Sequence, residues 1–275
     1  MNPKYGRLAA PLVALVWLCA AAPVPAVISA AVANADRPAS DTARDALRKP
    51  AESVAFAGLK PGQVAVDFIP GGGYFTRIFA NIVGPTGHVY AVDPSEMVLT
   101  KRTPPPGAAK RAPDEQGPPM PDTSDGAVLS QFLLKRMDPK GQFTNVTFLV
   151  ESDQELSIPV SADLVWTARN YHDLHNAMMG SPDMVKLDRS IYETLKPGGI
   201  FLVLDHSTAP GMGFSQTNTL HRSDPEAVIA EVEQAGFKLV GRSYLLANPA
   251  DDHTQKVFGL HDRTDQYILK FQRPE

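Results

Sequence analysis

Three consecutive glycines, Gly71, Gly72 and Gly73, separate a short apolar run from a helix-like pattern, and an acid, Asp93, follows twenty positions after the last of them. Glycines in such a turn let backbone approach a ligand closely, and the helix N-terminus behind them offers free N–H groups. An acid that ends the next strand can accept both hydroxyls of a ribose, and a separation of about twenty residues is what a nucleoside-binding βαβ unit has. These residues predict binding of a nucleoside-containing cofactor. A glycine turn with a ribose acid serves a nicotinamide cofactor as well, so the cofactor must be decided elsewhere.

The elements that position these groups are legible as patterns. Val64, Ala65, Val66, Phe68 and Ile69 are too short a run for a helix and read as a buried strand of a parallel sheet. Phe75, Ile78, Phe79 and Ile82 have helical spacing, and His88 to Val92 is a second buried strand. Before them, Ser40 or Asp41 can cap a helix through Arg48, and Pro50 suits the first turn of another helix that can cover the mouth of a cofactor pocket. Ser95 caps a short helix to about Arg102, and Ser124 a second one reaching Met137. Further strands are expected at 146–150, 163–167, 200–204, 237–246 and 266–271, with helices at 184–195 and 225–236. Alternating strands and helices imply an α/β doubly wound parallel sheet whose closing pair is antiparallel.

The 275 residues are 43% hydrophobic and 20% charged, which suits one globular domain. Lys4 and Arg7 precede an apolar run from Leu8 to Ala33 that ends in Ala33-Asn34-Ala35, the pattern of a secretory signal cut before Asp36. The alternative is an uncleaved membrane anchor. Export to the periplasm is therefore expected, with residues 36–275 as one domain and no stable membrane insertion after cleavage. The single cysteine, Cys19, lies in this signal, which leaves no disulfide or thiol chemistry. Losing Lys4 and Arg7 takes the net charge from −4 to −6, with 24 basic against 30 acidic residues, and gives no electrostatic footprint for nucleic acid. Seven prolines crowd between Pro104 and Pro121, so about 103–123 reads as a mobile surface insertion, with an active-site lid or a partner-binding polyproline segment as the alternative.

In this order the pieces resemble the class I S-adenosylmethionine-dependent methyltransferases over nearly all of residues 44–273. The matching segments are VAVDFIPGGGYFT, VYAVDP, DLVWTARNYHDL, LKPGGIFLVLDH, GFKLVGRS and DQYILKFQRP. More narrowly, KPAESVAFAGLKPG and LANPADD resemble a group of exported bacterial methyltransferases. The resemblance implies a Rossmann-like seven-stranded sheet, mostly parallel with an antiparallel C-terminal strand, and S-adenosyl-L-methionine as cofactor. It implies that Asp67 helps to place the amino-acid end of the cofactor, that Gly71, Gly72 and Gly73 pass beneath it, and that Asp93 holds the ribose. Pro94 and Met97 would flank the adenine, and Ser152 or Asp153 would meet its amino group. The usual first glycine of this turn is Ile69 here, followed by Pro70.

Methyl transfer needs an in-line nucleophile at contact distance and, for weak acids, a base. The segment facing the donor is Arg169-Asn170-Tyr171-His172-Asp173, after the fourth strand. His172 is the candidate base, because its ordinary pKa lies near neutrality, and Tyr171 would pack against the methyl group. Local shaping of the loop is the plainer role for both. His172 and His175, with Asp173 between them, lack a third ligand nearby in sequence, so no metal is expected. His206 and His221 can line the substrate side. Asn248, Asp251, Asp252 and His253 form a polar loop with no evident role. The expected activity is methyl transfer to a small-molecule or envelope acceptor. The alternatives are a non-catalytic nucleoside-binding module and a NAD-dependent oxidoreductase. Against the last, a dinucleotide turn wants a further glycine at Thr76, and no Tyr-x-x-x-Lys pair follows the fourth strand.

Overall fold

The computed structural model describes residues 23–102, 121–152, 154–176, 179, 182–260 and 262–275, with no side chains described for 99–102. Residues 103–120 of the proline-rich insertion, the start of the apolar N-terminal run and Asp153 lie outside the described residues.

Seven strands form one sheet: β1 (Val64–Phe68), β2 (His88–Pro94), β3 (Val146–Glu151), β4 (Ala162–Ala168), β5 (Leu195–His206), β6 (Lys238–Ser243) and β7 (Gln266–Gln272). Their spatial order is β3-β2-β1-β4-β5-β7-β6. The pairs β1–β2, β1–β4, β2–β3 and β4–β5 are parallel, and β7 runs antiparallel to both β5 and β6. Strand order therefore reverses between β1 and β4. Open α/β sheets bind ligands at such a switch point, outside the carboxyl ends of the strands.

The central strands are apolar on both faces because helices cover both. One face receives the N-terminal helices α1 (Ala26–Val32), α2 (Ala39–Thr42), α3 (Asp45–Arg48) and α4 (Pro50–Ala57), together with α5 (Tyr74–Val83). After β2 come α6 (Ser95–Arg102) and α7 (Gly126–Met137), and α7 packs on the same face as α5. Phe75 and Phe79, one turn apart on α5, lie with ring centroids 4.6 and 5.4 Å from that of Trp166 on β4, which has no exposed surface. Such aromatic contacts add about 0.5–1.5 kcal/mol each to the burial itself. The other face receives α8 (Tyr171–Leu174), α9 (Met184–Thr194) and α11 (Pro225–Gln234), with the short α10 (Thr217–Leu220) before α11.

Several boundaries differ from those read off the sequence, each for a local reason. The stretch expected as one helix to Arg48 is split into α2 and α3; Pro38 rather than Ser40 or Asp41 precedes α2, and neither piece has a side-chain N-cap. Asp125, not Ser124, caps α7, its carboxylate accepting from the N–H groups of Ala127 and Val128. The Lys196-Pro197-Gly198-Gly199 turn is absorbed into β5, where the register against β4 shifts between Ala162 and Leu164. Strand β6 stops at Ser243 rather than Leu246.

The end of the N-terminal apolar run belongs to the fold. Ile28 and Ala31 are buried beside α5, Asn34 donates to Asn81 at 2.8 Å, and Arg37 donates to the Val32 carbonyl. Removal of everything before Asp36 would strip these side chains from the core. Among the described residues, no helix is long and apolar enough to cross a membrane.

Candidate active site at the carboxyl edge of the sheet

The chain leaves β1 through a turn in which Ile69, Gly71 and Gly73 all take positive φ, at 62, 57 and 79°. Gly71 and Gly72 are exposed, and a Cβ built on either meets nothing within 4 Å. Gly73 is different: it begins α5, and the Met137 side chain fills the space a Cβ would need. Side-chain-free backbone is thus open at two of the three glycines and covered at the third.

Two carboxylates lie under this turn. Asp67, 2% exposed, accepts from the Thr76 hydroxyl at 2.6 Å and so anchors the first turn of α5. Burial raises its pKa, the Thr76 bond opposes that, and the nearby Asp93 raises it again, to about 7. Asp93, 1% exposed, ends β2 beside Val150 of β3. Open glycine backbone beside paired acids fits a nucleoside cofactor with an amino-acid tail. Pro94 is buried, and Met97 packs in the apolar cluster with Phe68 and Ile69. Ser152 is exposed, and its hydroxyl accepts from the Gln154 N–H at 3.1 Å.

At the end of β4 the residues take separate directions. Asn170 donates to the carbonyls of Ile69, at 2.9 Å, and Ala168, at 2.7 Å, tying the ends of β1 and β4 together. Tyr171 does not face a methyl donor. It is 1% exposed in the core under α9 and α11, with its hydroxyl 2.8 Å from Asp188 and 2.7 Å from Glu231. Burial and the repulsion of Glu231 hold Asp188 far above the usual carboxylate range.

His172 is equally buried, with Nδ1 2.8 Å from Asp205 and Nε2 3.1 Å from Asp173. Burial alone would lower its pKa, but the two carboxylates outweigh burial and raise it to about 10. Buried with both ring nitrogens engaged by carboxylates, His172 presents no free nitrogen to an acceptor in this geometry, unlike the base expected from the sequence. His175 turns away to Glu231, at 3.0 Å, and stacks on Phe214. His206 bonds Thr264, and burial keeps its pKa well below the ordinary value.

Residues far apart in sequence close the edge. Arg44, Arg48 and Arg169 converge on Asp262 at 3.1, 3.0 and 2.7 Å. Asp45 binds Arg37 and the Tyr74 hydroxyl, and Arg77 pairs with Asp41 at 2.6 Å. Helices α2 and α3 are thereby fastened over the start of α5. A cavity of about 660 Å³ lies among the N-terminal helices, lined by Val32, Arg37 and Asp45. The polar loop at 248–253 also acquires a role: Asp251 forms a two-point ion pair with the fully buried Arg222 and accepts from the Asp265 N–H. Most of these pairings cross 29 to 218 positions and leave no mark on local pattern, which is why they are not legible in the sequence.

Strand order, the reversed β7 and the glycine turn together define the class: the chain has the class I S-adenosylmethionine-dependent methyltransferase fold. A methyltransferase of this kind from Aquifex aeolicus superposes with a TM-score of 0.52 over 84% of this chain and 92% of its own, at 15% identity. No family model matches the sequence. Among curated proteins, the ubiquinone/menaquinone biosynthesis C-methyltransferase of Ectopseudomonas mendocina (strain ymp) is 27% identical over 222 residues. The protein of the same name from Hydrogenovibrio crunogenus (strain DSM 25203 / XCL-2) is 26% identical over 159 residues. These alignments take in 79% and 56% of this chain, and they span 66% and 46% of the relatives' own lengths.

Proposed function

We propose that this chain is a methyltransferase that binds S-adenosyl-L-methionine at the β1–β4 switch point. The bound cofactor supplies an activated methyl group on a sulfonium. The exposed backbone of Gly71 and Gly72 would carry its amino-acid tail, and Asp93 would accept the ribose hydroxyls. Asp67, beneath the turn, keeps the first turn of α5 in place. The observation that carries this reading is the pairing of open glycine backbone at the end of β1 with a carboxylate at the end of neighbouring β2.

The acceptor is a small molecule or an envelope component. The relatives' names make quinone precursors the first members of an acceptor screen. Lys4 and Arg7 before the apolar run support export. A second reading, a binding module without turnover, is favoured by one observation: His172, the base expected after β4, is buried with both ring nitrogens engaged by Asp205 and Asp173.

Calorimetric titration of the chain with S-adenosylmethionine, S-adenosylhomocysteine and NAD tests the proposal. S-adenosylhomocysteine should bind, and Asp93→Ala should weaken that binding at least about tenfold, since it removes a charge-assisted hydrogen-bond acceptor. Binding of NAD alone, or S-adenosylhomocysteine affinity untouched by Asp93→Ala, overturns it. Cofactor binding with no turnover across the acceptor screen selects the second reading.

A further inference from the structure

Two distant parts of the chain bring three ligating side chains together beside the end of β4. His172 and Asp173 stand in α8. His221 is 48 positions beyond Asp173, just past α10, held at φ 58°. Asp173 Oδ1 is 3.1 Å from His172 Nε2 and 3.0 Å from His221 Nδ1, and all three ligand atoms lie within 4.8 Å of one another. Two atoms each about 2.1 Å from one ion, at right angles, stand about 3.0 Å apart. The two oxygen-to-nitrogen edges therefore already have coordination length. Two imidazoles and one carboxylate on one side of a metal suit divalent first-row ions and leave the opposite positions open.

The surroundings add two independent features. Asp205, with no exposed surface, accepts from the His172 backbone N–H at 2.7 Å through one oxygen and faces His172 Nδ1 at 2.8 Å through the other. A carboxylate on Nδ1 fixes a proton there and aims Nε2 at Asp173 and His221, the outer-shell arrangement usual for a metal-bound histidine. An ion binding at Nε2 would displace the proton which that nitrogen shares with Asp173 in the metal-free protein. Asn176, 1% exposed, donates to the same Asp173 oxygen at 2.7 Å, while its own Oδ1 makes no hydrogen bond among the described residues. A buried amide oxygen left so costs about 1–3 kcal/mol, a cost that water on a bound ion would offset. Asp173 and His221 are only partly buried, and the exposed Phe258 ring stands edge-on to His221 at 4.6 Å as one wall.

We propose that His172 Nε2, Asp173 Oδ1 and His221 Nδ1 bind one divalent first-row transition-metal ion, with Asp205 orienting His172. His175, the partner that spacing suggests for His172, is committed to Glu231 and takes no part. An ion here would hold an acceptor through its oxygens, a use that rests on the methyl-transfer reading; the binding itself does not.

The test uses the full chain, stripped with EDTA and titrated with Co²⁺ and Zn²⁺, following visible cobalt absorption and heat. One equivalent should bind, His221→Gln should weaken it at least tenfold, and Asp205→Asn should weaken it about 10–100-fold through the outer shell. His221 is partly exposed, so His221→Gln keeps its melting transition and decides the question even if His172→Gln does not fold. Absence of saturable binding up to millimolar metal by folded chain, meaning a hydrogen-bonded cluster only, overturns the proposal. So does one-equivalent binding that His221→Gln leaves unchanged. S-adenosylhomocysteine titrated in parallel separates the two readings, since a chain that binds Co²⁺ but not the nucleoside keeps this site and loses the methyl-transfer reading.

Discussion

Ile69 holds a β-branched side chain at φ 62°, at the position where the resemblance to the methyltransferase turn implies a glycine. A left-handed conformation costs an L-residue roughly 1–2 kcal/mol. Burying this isoleucine among Phe68, Met97 and Tyr171 returns about 1.5–3 kcal/mol, so the burial outweighs the strain. The turn thus keeps a glycine-like path without the glycine. Asp67, two residues earlier, gives a pH-dependent prediction. Its folded pKa of about 7 lies above the ordinary carboxylate value near 3.9, so the folded state binds the extra proton and its stability declines as pH rises from about 4 to 7. Asp67→Asn keeps an acceptor for the Thr76 hydroxyl without a buried charge. Its stability relative to wild type should grow by at most about 2–3 kcal/mol between pH 5 and pH 8 in urea melts, at 1.36 kcal/mol per pKa unit; a constant difference would show that Asp67 is ionised throughout. Glycines, acids and their spacing were legible in the sequence because each residue type has a narrow set of uses. The enclosure of His172 by two carboxylates was not, because Asp205, the partner of its Nδ1, lies 33 positions away.

Among elements, legibility followed burial. Strands β1, β2 and β4 read as apolar runs because both faces of the central sheet are covered. The fastening of α2 and α3 left no such trace, since Arg48 and Asp262 are 214 positions apart. That fastening predicts its own acid response. Burial would raise Asp262, but the Arg48 hydrogen bond and the fields of Arg169, Arg48 and Arg44 bring it down to about 2. A carboxylate depressed in the folded state contributes stability above about pH 4, and that contribution fades as pH falls towards 2. Asp262→Asn should cost about 1–3 kcal/mol at pH 7, because three guanidinium groups lose their shared anion. The cost should shrink by pH 2.5, and hydrogen exchange in residues 39–48 should quicken at pH 7. Unchanged exchange there would mean that Asp41 and Asp45 hold these helices without Asp262.

At the scale of the whole molecule, the fold and the secretory signal proposed from the sequence draw on the same residues. The small-x-small triplet Ala33-Asn34-Ala35 offers a cut before Asp36, yet Ile28 and Ala31 are 1% and 4% exposed and packed on α5. Burying Ile28 is worth about 1.5–3 kcal/mol, and the smaller Ala31 adds to it. A chain beginning at Asp36 also loses the Asn34–Asn81 bond and the Val32 carbonyl that receives Arg37. Folded domains are stable by only about 5–15 kcal/mol, so the loss is a large share of the total. We therefore expect an exported product cut upstream of Val24, within the alanines that follow Cys19, and a chain of residues 24–275 more stable than 36–275 by about 3–5 kcal/mol in urea. Intact mass of the exported protein reads the first expectation and paired melts the second. A product starting at Asp36 that melts with the longer chain would show that α1 adds nothing to the fold.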